Sequence, residues 1–232
     1  MKNFSLGIII RMFLGFFVVA VASVLMINAN IGLMAWDVLH QGMSNQIGMT
    51  IGQASITVGV TIVIIDVLLG ENIGWGTVLN MIFIGVFMDL VIYLDFIPKS
   101  HNLYMGLFMN FIGVILTSVG SFLYLGAHLG SGPRDGLMIA LHKRTKKSVR
   151  LVRTVLEVGA LIVGWALGGT VGIGTFICAI ALGYVMQFVF KVFKLDTSTI
   201  EHRSITADIK YLKDKFGDKK KENKEKEKDL TA

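Results

Sequence analysis

Several residue types that organise soluble proteins are scarce in this chain. It has one cysteine and two prolines in 232 residues, and only 16% of its residues are charged. A lone cysteine cannot form an internal disulfide or complete a multi-cysteine metal site. So few charges cannot cover a soluble globule of this size when 53% of the residues are hydrophobic. The composition therefore predicts an integral membrane protein.

Cations are nearly absent from the apolar body of the chain. Of the 22 Lys and Arg, seven lie between Arg134 and Arg153 and twelve between Lys191 and Lys228. Nucleic-acid-binding proteins spread such charge over a polar surface, whereas here it lies beside hydrophobic segments. We therefore expect the lipid bilayer as a partner, and no nucleic acid.

Six apolar runs are long enough to cross a bilayer. They lie at residues 7–27, 51–69, 76–94, 105–126, 151–168 and 174–191. The first also contains Ala20-Val21-Ala22, which resembles a signal-peptidase site. We interpret this run as a permanent helix, because the repeat described next pairs it with residues 105–126, which cannot be a signal peptide.

The two halves of the chain are related by an internal repeat. A shift of 98 positions, without gaps, aligns residues 11–94 with 109–192 and gives 20 identities in 84 pairs. The matches include several glycines and the pair Asp37 and Asp135, which biased composition alone would rarely align. We predict a first transmembrane repeat at residues 1–98, a second at 99–194, and a charged, largely disordered cytoplasmic tail at 195–232.

The predicted fold is all-α and polytopic. Three crossings in each repeat would insert the second repeat from the opposite face, giving six transmembrane helices in two inverted three-helix repeats, each with a short broken or re-entrant connector helix. Basic residues beside the spans place both termini in the cytoplasm. If the connector helices crossed the membrane, each repeat would have four crossings and the halves would be parallel. Length opposes this alternative, because ten helical residues rise only about 15 Å.

The connector of the second repeat contains the most informative motif, Gly130-Ser131-Gly132-Pro133-Arg134-Asp135. Glycines allow the backbone to turn, and proline suits the first turn of a helix because its missing N–H has no partner there. A short helix that begins inside the membrane directs its free N–H groups at the interior, as in transporters with broken helices. The expected backbone hinges are Gly32, Gly130, Gly132 and Pro133.

The connector of the first repeat supplies the complementary residues. Asp37 is equivalent to Asp135, and Trp36 takes the place of Arg134. We predict that these four residues line a substrate site between the two connectors. The alternative is a loop and helix cap that bind no ligand.

Four other charged residues lie in or near apolar runs, where a charge costs about 2.5–3.5 kcal/mol on insertion scales. Arg153 and Glu157 are one helical turn apart and are expected to form an ion pair at the cytoplasmic end of their helix, with proton coupling as the lesser alternative. Asp66 and Asp89 are expected to be interfacial or to make inter-helix contacts rather than to relay protons.

Two further glycine patterns predict local packing. Gly74-Trp75-Gly76-Thr77 and Gly172-Ile173-Gly174-Thr175 are typical of tight turns between antiparallel helices. Gly85 and Gly183 are expected to allow close helix packing. No histidine has metal-ligand spacing, and no nucleophile or phosphate motif is present, so we expect no metal, no cofactor and no enzyme.

Several motifs together resemble the YczE/YitT-type bacterial membrane proteins over roughly residues 5–192. They are Gly32 followed by Trp36-Asp37-Val38-Leu39-His40-Gln41-Gly42, Gly74-x-Gly76-Thr77 with Asn80 and Gly85, Gly130-x-Gly-Pro-Arg-Asp-Gly136, and Arg153-x-x-x-Glu157 with Gly164-Trp165 and Gly168-Gly169. The chain departs from that pattern at Ala35, where proline usually precedes Trp-Asp. The resemblance implies a polytopic bacterial inner-membrane protein and does not name a substrate.

The function expected from these observations is a transporter or permease for a small polar, anionic or amphipathic metabolite. The alternative is a membrane scaffold that docks soluble partners through its basic loop and tail. A membrane enzyme ranks third, since no catalytic constellation is visible. Homo-oligomerisation is left open.

Overall fold

A computed structural model describes residues 6–71, 73–127, 129–130 and 132–195. These residues form eight α-helices, which in chain order are α1 (Leu6–Ala29), α2 (Ala35–Ile47), α3 (Ile51–Leu68), α4 (Trp75–Leu94), α5 (Leu103–Leu125), α6 (Pro133–Thr145), α7 (Val149–Ala166) and α8 (Ile173–Val192). The predicted all-α class is confirmed over this part of the chain. The predicted tail lies outside it, apart from Leu195.

The helices of the second half repeat the bounds of the first. Helices α6, α7 and α8 begin and end 98 positions after α2, α3 and α4, and α5 covers nearly the same interval relative to α1. The equivalent hydroxyls of Thr50 and Ser148 cap the N-termini of α3 and α7. Ala35 begins α2 as Pro133 begins α6, so proline is not required for the short helix to start there.

Among the described residues, five helices are long and apolar enough to cross a membrane: α1, α3, α4, α5 and α8. Large side chains on their outer faces, such as Phe108 and Phe188, are 64% and 67% exposed. Lipid accommodates such a surface, whereas water does not. The sixth predicted span, residues 151–168, falls on α7, where Arg150, Arg153 and Glu157 lower the apolar character.

Helices α1 and α5 form the central pair, which is held by small residues. A Cβ atom on Gly15 would lie 2.8 Å from the Gly120 carbonyl oxygen, and one on Gly113 would lie 3.3 Å from that of Ala22. Gly120 is the repeat equivalent of Ala22, so the same contact occurs twice. Numbers rise along α1 as they fall along α5, so the two helices run antiparallel at close range.

The short helices α2 and α6 are placed by contacts between the two halves. Helix α2 packs against α3 and α7, and α6 packs against α7 and α3. Helices α4 and α8 pack outside the central pair, on α1 and α5 respectively. Each short helix is therefore held by the next helix of its own half and by the equivalent helix of the other half, which brings α2 and α6 to one central region.

The prediction of close packing at Gly85 and Gly183 holds for one of the two. A Cβ atom on Gly85 would lie 2.6 Å from the Gly52 carbonyl oxygen, at the α3–α4 contact. Gly183 is exposed, and nothing would lie within 4 Å of a Cβ atom there. The prediction for Gly183 is wrong because, among the described residues, its side of α8 faces the cavity that Leu182 and Met186 also line, and not a neighbouring helix.

Candidate functional site

The segment before each short helix is braced by the other half of the chain. The Gly174 N–H donates to the Ile31 carbonyl at 2.7 Å, and the equivalent Gly76 N–H donates to the Leu129 carbonyl at 2.8 Å. Both donors belong to the Gly-x-Gly-Thr motifs that the sequence predicts as simple turns. The Thr175 hydroxyl also accepts from the Gly172 N–H, as expected of a helix cap. These motifs therefore do more than reverse the chain, because they fix the connectors from which α2 and α6 begin.

Glycine is required at two of the four predicted hinges. Gly32 and Gly130 have φ angles of +111° and +148°, which side-chain-bearing residues rarely adopt. A Cβ atom on Gly32 would also lie 2.5 Å from the Gly172 nitrogen. Gly132 has an ordinary φ of −62°, and Pro133 occupies the first turn of α6.

Side chains of α2 and α6 meet around Arg134. Its guanidinium carbon lies 4.7 Å from the centre of the Trp36 ring, which is a cation–π contact. Its terminal nitrogen lies 3.4 Å from His40 Nε2. The Trp36, His40 and Arg134 side chains thus join the first and second halves of the chain at one point.

Asp37 continues this chain of contacts. Its Oδ1 atom lies 3.3 Å from His40 Nδ1, and no hydrogen-bond partner among the described residues reaches Oδ2. The hydroxyl of Ser23 on α1 lies close to the same carboxylate. Asp37 and His40 are 4% and 1% exposed. If His40 Nε2 accepts a hydrogen bond from Arg134, the proton of the neutral imidazole is on Nδ1, on the side of Asp37. A neutral His40 can therefore lie between the Arg134 cation and the Asp37 carboxylate.

The four predicted site residues line one cavity of about 980 Å³. They are Trp36, Asp37, Arg134 and Asp135. Its remaining wall is mixed, with hydroxyl, amide and sulfur groups among aliphatic side chains. The polar members from α1, α4, α5 and α8 include Ser23, Asn80, Thr117, Ser121, Tyr124, Thr175 and Cys178.

The second half contributes most of the formal charge around the cavity. Asp37, Asp135 and Glu157 are close enough to Arg134 to interact with it electrostatically. The predicted ion pair of α7 forms, with Arg153 Nε donating to Glu157 Oε1 at 2.9 Å. Both side chains of this pair line the cavity, so α7 directs its charges inward.

Asp89 and Asp66, the other two charged residues in or near apolar runs, have different surroundings. Asp89 makes the expected inter-helix contact: it accepts from the Thr50 hydroxyl and, at 2.8 Å, from the Gly52 N–H, and so caps the N-terminus of α3. Asp66 is 0% exposed, and no hydrogen-bond donor among the described residues reaches either oxygen. Asp66 therefore makes the other contact expected of it, between helices, because it packs against Gly136 of α6.

The sequence prediction missed His40 as a member of the site. His40 follows Asp37 by three positions, which places both side chains on one face of a helix. This spacing is the signal that could have identified His40. Tyr124 and Ser23 carried no such local signal, because α1 and α5 approach α2 and α6 only through tertiary packing. Within the described ranges, no three His, Cys, Asp or Glu side chains lie close enough together to hold a metal ion.

Apolar outer faces, five long apolar helices among the described residues and a cavity of mixed lining between helices are the features of a helical membrane protein. The chain belongs to DUF6198, a family of unknown function whose model matches residues 7–191. The predicted YczE-type resemblance is confirmed: the chain is 36% identical to the uncharacterised membrane protein YczE of Bacillus subtilis over 162 residues, covering 68% of this chain and 73% of that protein.

Two further relatives agree with this assignment. An uncharacterised protein of Haemophilus influenzae is 34% identical over 168 residues, covering 72% of this chain and 76% of the relative. The uncharacterised protein YyaS of Bacillus subtilis is 26% identical over 183 residues, covering 76% and 89%. No solved structure shows a significant match to the chain.

Proposed function

We propose that this protein is a transporter or permease for a small organic anion of polar or amphipathic character. The observation that carries the proposal is the single cavity in which Trp36 and Asp37 of α2 meet Arg134 and Asp135 of α6. A site between the equivalent elements of two repeats is how many secondary transporters bind their substrates.

The architecture of the proposal is a pair of inverted three-helix repeats with α2 and α6 as re-entrant connectors. The antiparallel contact of α1 with α5 supports it, because α1 and α5 are repeat equivalents. Helix α7 serves as the sixth span. Its charged residues Arg153 and Glu157 line the cavity rather than the lipid, which lowers the cost of carrying them through the membrane.

The depth of the cavity also supports this function. Val19 and Ser23 on α1 line it, and they lie ten and six residues before the end of that helix at Ala29. At 1.5 Å per residue, these positions are about 15 and 9 Å inside the end of the span. A cavity at this depth, with polar and apolar groups in its wall, suits a substrate site within the membrane.

The chemistry of the wall indicates the substrate class. Arg134 is a fixed cation with a planar face against Trp36, and His40 contacts both its terminal nitrogen and the Asp37 carboxylate. An anionic group on the substrate can therefore compete for the guanidinium. Aliphatic and methionine side chains cover much of the remaining wall, which suits an amphipathic molecule.

The proposed orientation places both termini in the cytoplasm of a bacterial inner membrane. The last turn of α6 and the connection to α7 carry Lys143, Arg144, Lys146 and Lys147, which are all exposed. Loops of this composition remain on the cytoplasmic side.

Intrinsic fluorescence offers a direct test of binding. Trp75 and Trp165 are exposed, so replacing both with Phe leaves Trp36 as the reporter of the site. The full chain in liposomes is mixed with a panel of organic anions, and uptake is measured in parallel. We expect one class of anion both to change the Trp36 emission and to accumulate inside.

Matched variants separate the site from general charge effects. Arg134→Gln should abolish the fluorescence response and uptake, whereas Arg144→Gln, at an exposed position outside the cavity, should leave both unchanged. Folded, correctly oriented protein that moves no member of the panel contradicts transport. The scaffold alternative makes the opposite prediction: deletion of residues 196–232 abolishes the cellular function, while Asp37→Asn and Asp135→Asn have no effect.

A further inference from the structure

Asp66 occupies an unusual place near the end of α3. The side chain is 0% exposed and packs against Gly136 of α6, where a Cβ atom would lie 2.6 Å from Asp66 Oδ2. Neither carboxyl oxygen has a hydrogen-bond donor among the described residues. Ionisation of a carboxyl group in such surroundings is strongly unfavourable, so the packing of Asp66 favours the neutral acid.

Packing does not explain why a carboxyl group is present. The repeat equivalents of Asp66 and Gly136 are Gly164 and Val38, and these also touch, since a Cβ atom on Gly164 would lie 2.6 Å from the Val38 carbonyl carbon. At that contact Gly164 lies against backbone atoms of Val38 and Leu39, and no carboxyl group takes part. The equivalent contact in the other half thus forms without an acidic side chain, so helix packing by itself does not require one.

The charges on α6 and in the following loop do not neutralise Asp66. Lys143 of α6 pairs with Glu71 instead, and its Nζ atom lies 2.7 Å from Glu71 Oε1. Glu71 acts on Asp66 as a like charge and makes its ionisation less favourable. Arg134, at the start of α6, is directed to Trp36 and His40 instead.

The other helices packed on α3 supply no counter-charge either. The acidic residue within α4 is Asp89, which caps α3 at Gly52. Gly52 precedes Asp66 by fourteen residues, or about 21 Å along the helix. On α2, the ionisable groups are Asp37 and His40, which contact each other.

We propose that Asp66 is a proton-binding site that couples protonation to the position of α6, and hence to the substrate site. This inference rests on the proposed function, since α6 carries Arg134 and Asp135. The neutral acid allows α6 to pack against α3. Loss of the proton leaves a buried carboxylate, which favours separation of α6 from α3 and moves Arg134 relative to Trp36.

A proton fits this position better than a metal cation. A sodium ion requires several oxygen ligands around it, whereas Asp66 supplies one carboxyl group held closely against the backbone of Gly136. No space for an ion remains on that side of the carboxyl group. We therefore expect proton binding without sodium dependence.

Infrared difference spectroscopy tests the protonation of Asp66 without any substrate. The full chain, labelled with isotopic aspartate and reconstituted in lipid, is titrated from acid to alkaline pH. We expect the carbonyl band of a neutral carboxylic acid that shifts with the label, disappears at alkaline pH and is absent in Asp66→Asn. Asp89→Asn, which changes an acid held by hydrogen bonds, should keep the band. A wild-type spectrum without a label-sensitive band of a neutral acid overturns the proposal, and this result does not depend on whether any variant folds. A band that is lost when sodium is added at constant pH also overturns it.

A second measurement tests the coupling to α6. Ile64→Cys on α3 and Thr145→Cys on α6 place spin labels at exposed positions, in a Cys178→Ala background. The distance between the labels should increase as the neutral-acid band is lost, and Asp66→Asn should hold the short distance at every pH. A distance that follows pH equally in Asp66→Asn contradicts the coupling. Neither the infrared measurement nor the spin-label distance uses substrate. If both give the expected result and the transport assay fails, the proposed function is refuted and proton binding at Asp66 is not.

Discussion

At the scale of single residues, backbone constraints and one cation define the candidate site. Gly32 and Gly130 allow the chain to leave α1 and α5 and to turn into the short helices, and the opposite half approaches both glycines too closely for a side chain. Arg134 then joins Trp36 and His40 across the two halves. A substitution at Gly32 should therefore disturb the site through the backbone, without touching a ligand.

Gly32→Ala should lower the free energy of unfolding by about 2–5 kcal/mol. Overpacking costs about 1–3 kcal/mol, and a left-handed backbone adds about 1–2 kcal/mol. Gly48→Ala is the matched control, because Gly48 has a φ of +73° but nothing within 4 Å of its added Cβ atom. It should cost only the backbone contribution of about 1–2 kcal/mol. Unfolding of both purified variants in detergent measures the difference, and equal losses would mean that the contact with Gly172 is unimportant.

At the scale of elements, equivalent helices have different surroundings. Helix α4 packs against α3 through Gly85, whereas the same face of α8 at Gly183 is open. Helices α3 and α4 contact each other extensively, and α7 and α8 do not form a comparable contact. The second half is therefore the more open one, and it also carries Arg153 and Glu157 at the cavity.

Gly85→Ala and Gly183→Ala test this asymmetry at equivalent positions. The added methyl group on Gly85 would meet the Gly52 carbonyl oxygen, which cannot move without displacing α3, so we expect a loss of about 1–3 kcal/mol. Gly183→Ala should be neutral or stabilise by up to about 1 kcal/mol, since alanine favours the helix more than glycine does. Thermal unfolding of the two variants side by side measures the effect. A comparable loss at Gly183 would contradict the asymmetry, because it would mean that the cavity-lining face of α8 is closely packed.

At the scale of the whole molecule, the relation between the two halves determines how the cavity opens. With inverted halves, α2 and α6 enter the bilayer from opposite sides, and the cavity between them can be reached from either side in turn. With parallel halves, both short helices would enter from one side. The antiparallel packing of α1 and α5 favours the first arrangement.

Ile47→Cys and Thr145→Cys distinguish these arrangements, because the two residues are repeat equivalents at the ends of α2 and α6 and are both exposed. In a Cys178→Ala background, a membrane-impermeant thiol reagent is added to intact cells and to inverted vesicles. We expect Ile47→Cys to react from outside and Thr145→Cys from the cytoplasm. Reaction of both from the same side would rule out inversion and, with it, the proposed six-span topology.

Much of the fold could be predicted from sequence because its signals are local. Apolar runs indicate where the long helices lie, and the gapless repeat relates their bounds in the two halves. Trp36, Asp37, Arg134 and Asp135 could also be selected, since each follows the glycine of its connector. His40 could have been predicted as well, because its spacing from Asp37 places both side chains on one face of a helix.

Other features depended on which helices become neighbours. The sequence by itself determined a membrane-embedded chain of two related halves, because composition and self-similarity need no knowledge of contacts. Tertiary structure decided that Asp66 is buried under Gly136, that Gly183 faces no helix, and that the Gly-x-Gly-Thr motifs brace the opposite connectors. The physical reason is that these residues are far apart in sequence, and their environment exists only once α2 and α6 are packed between the two halves.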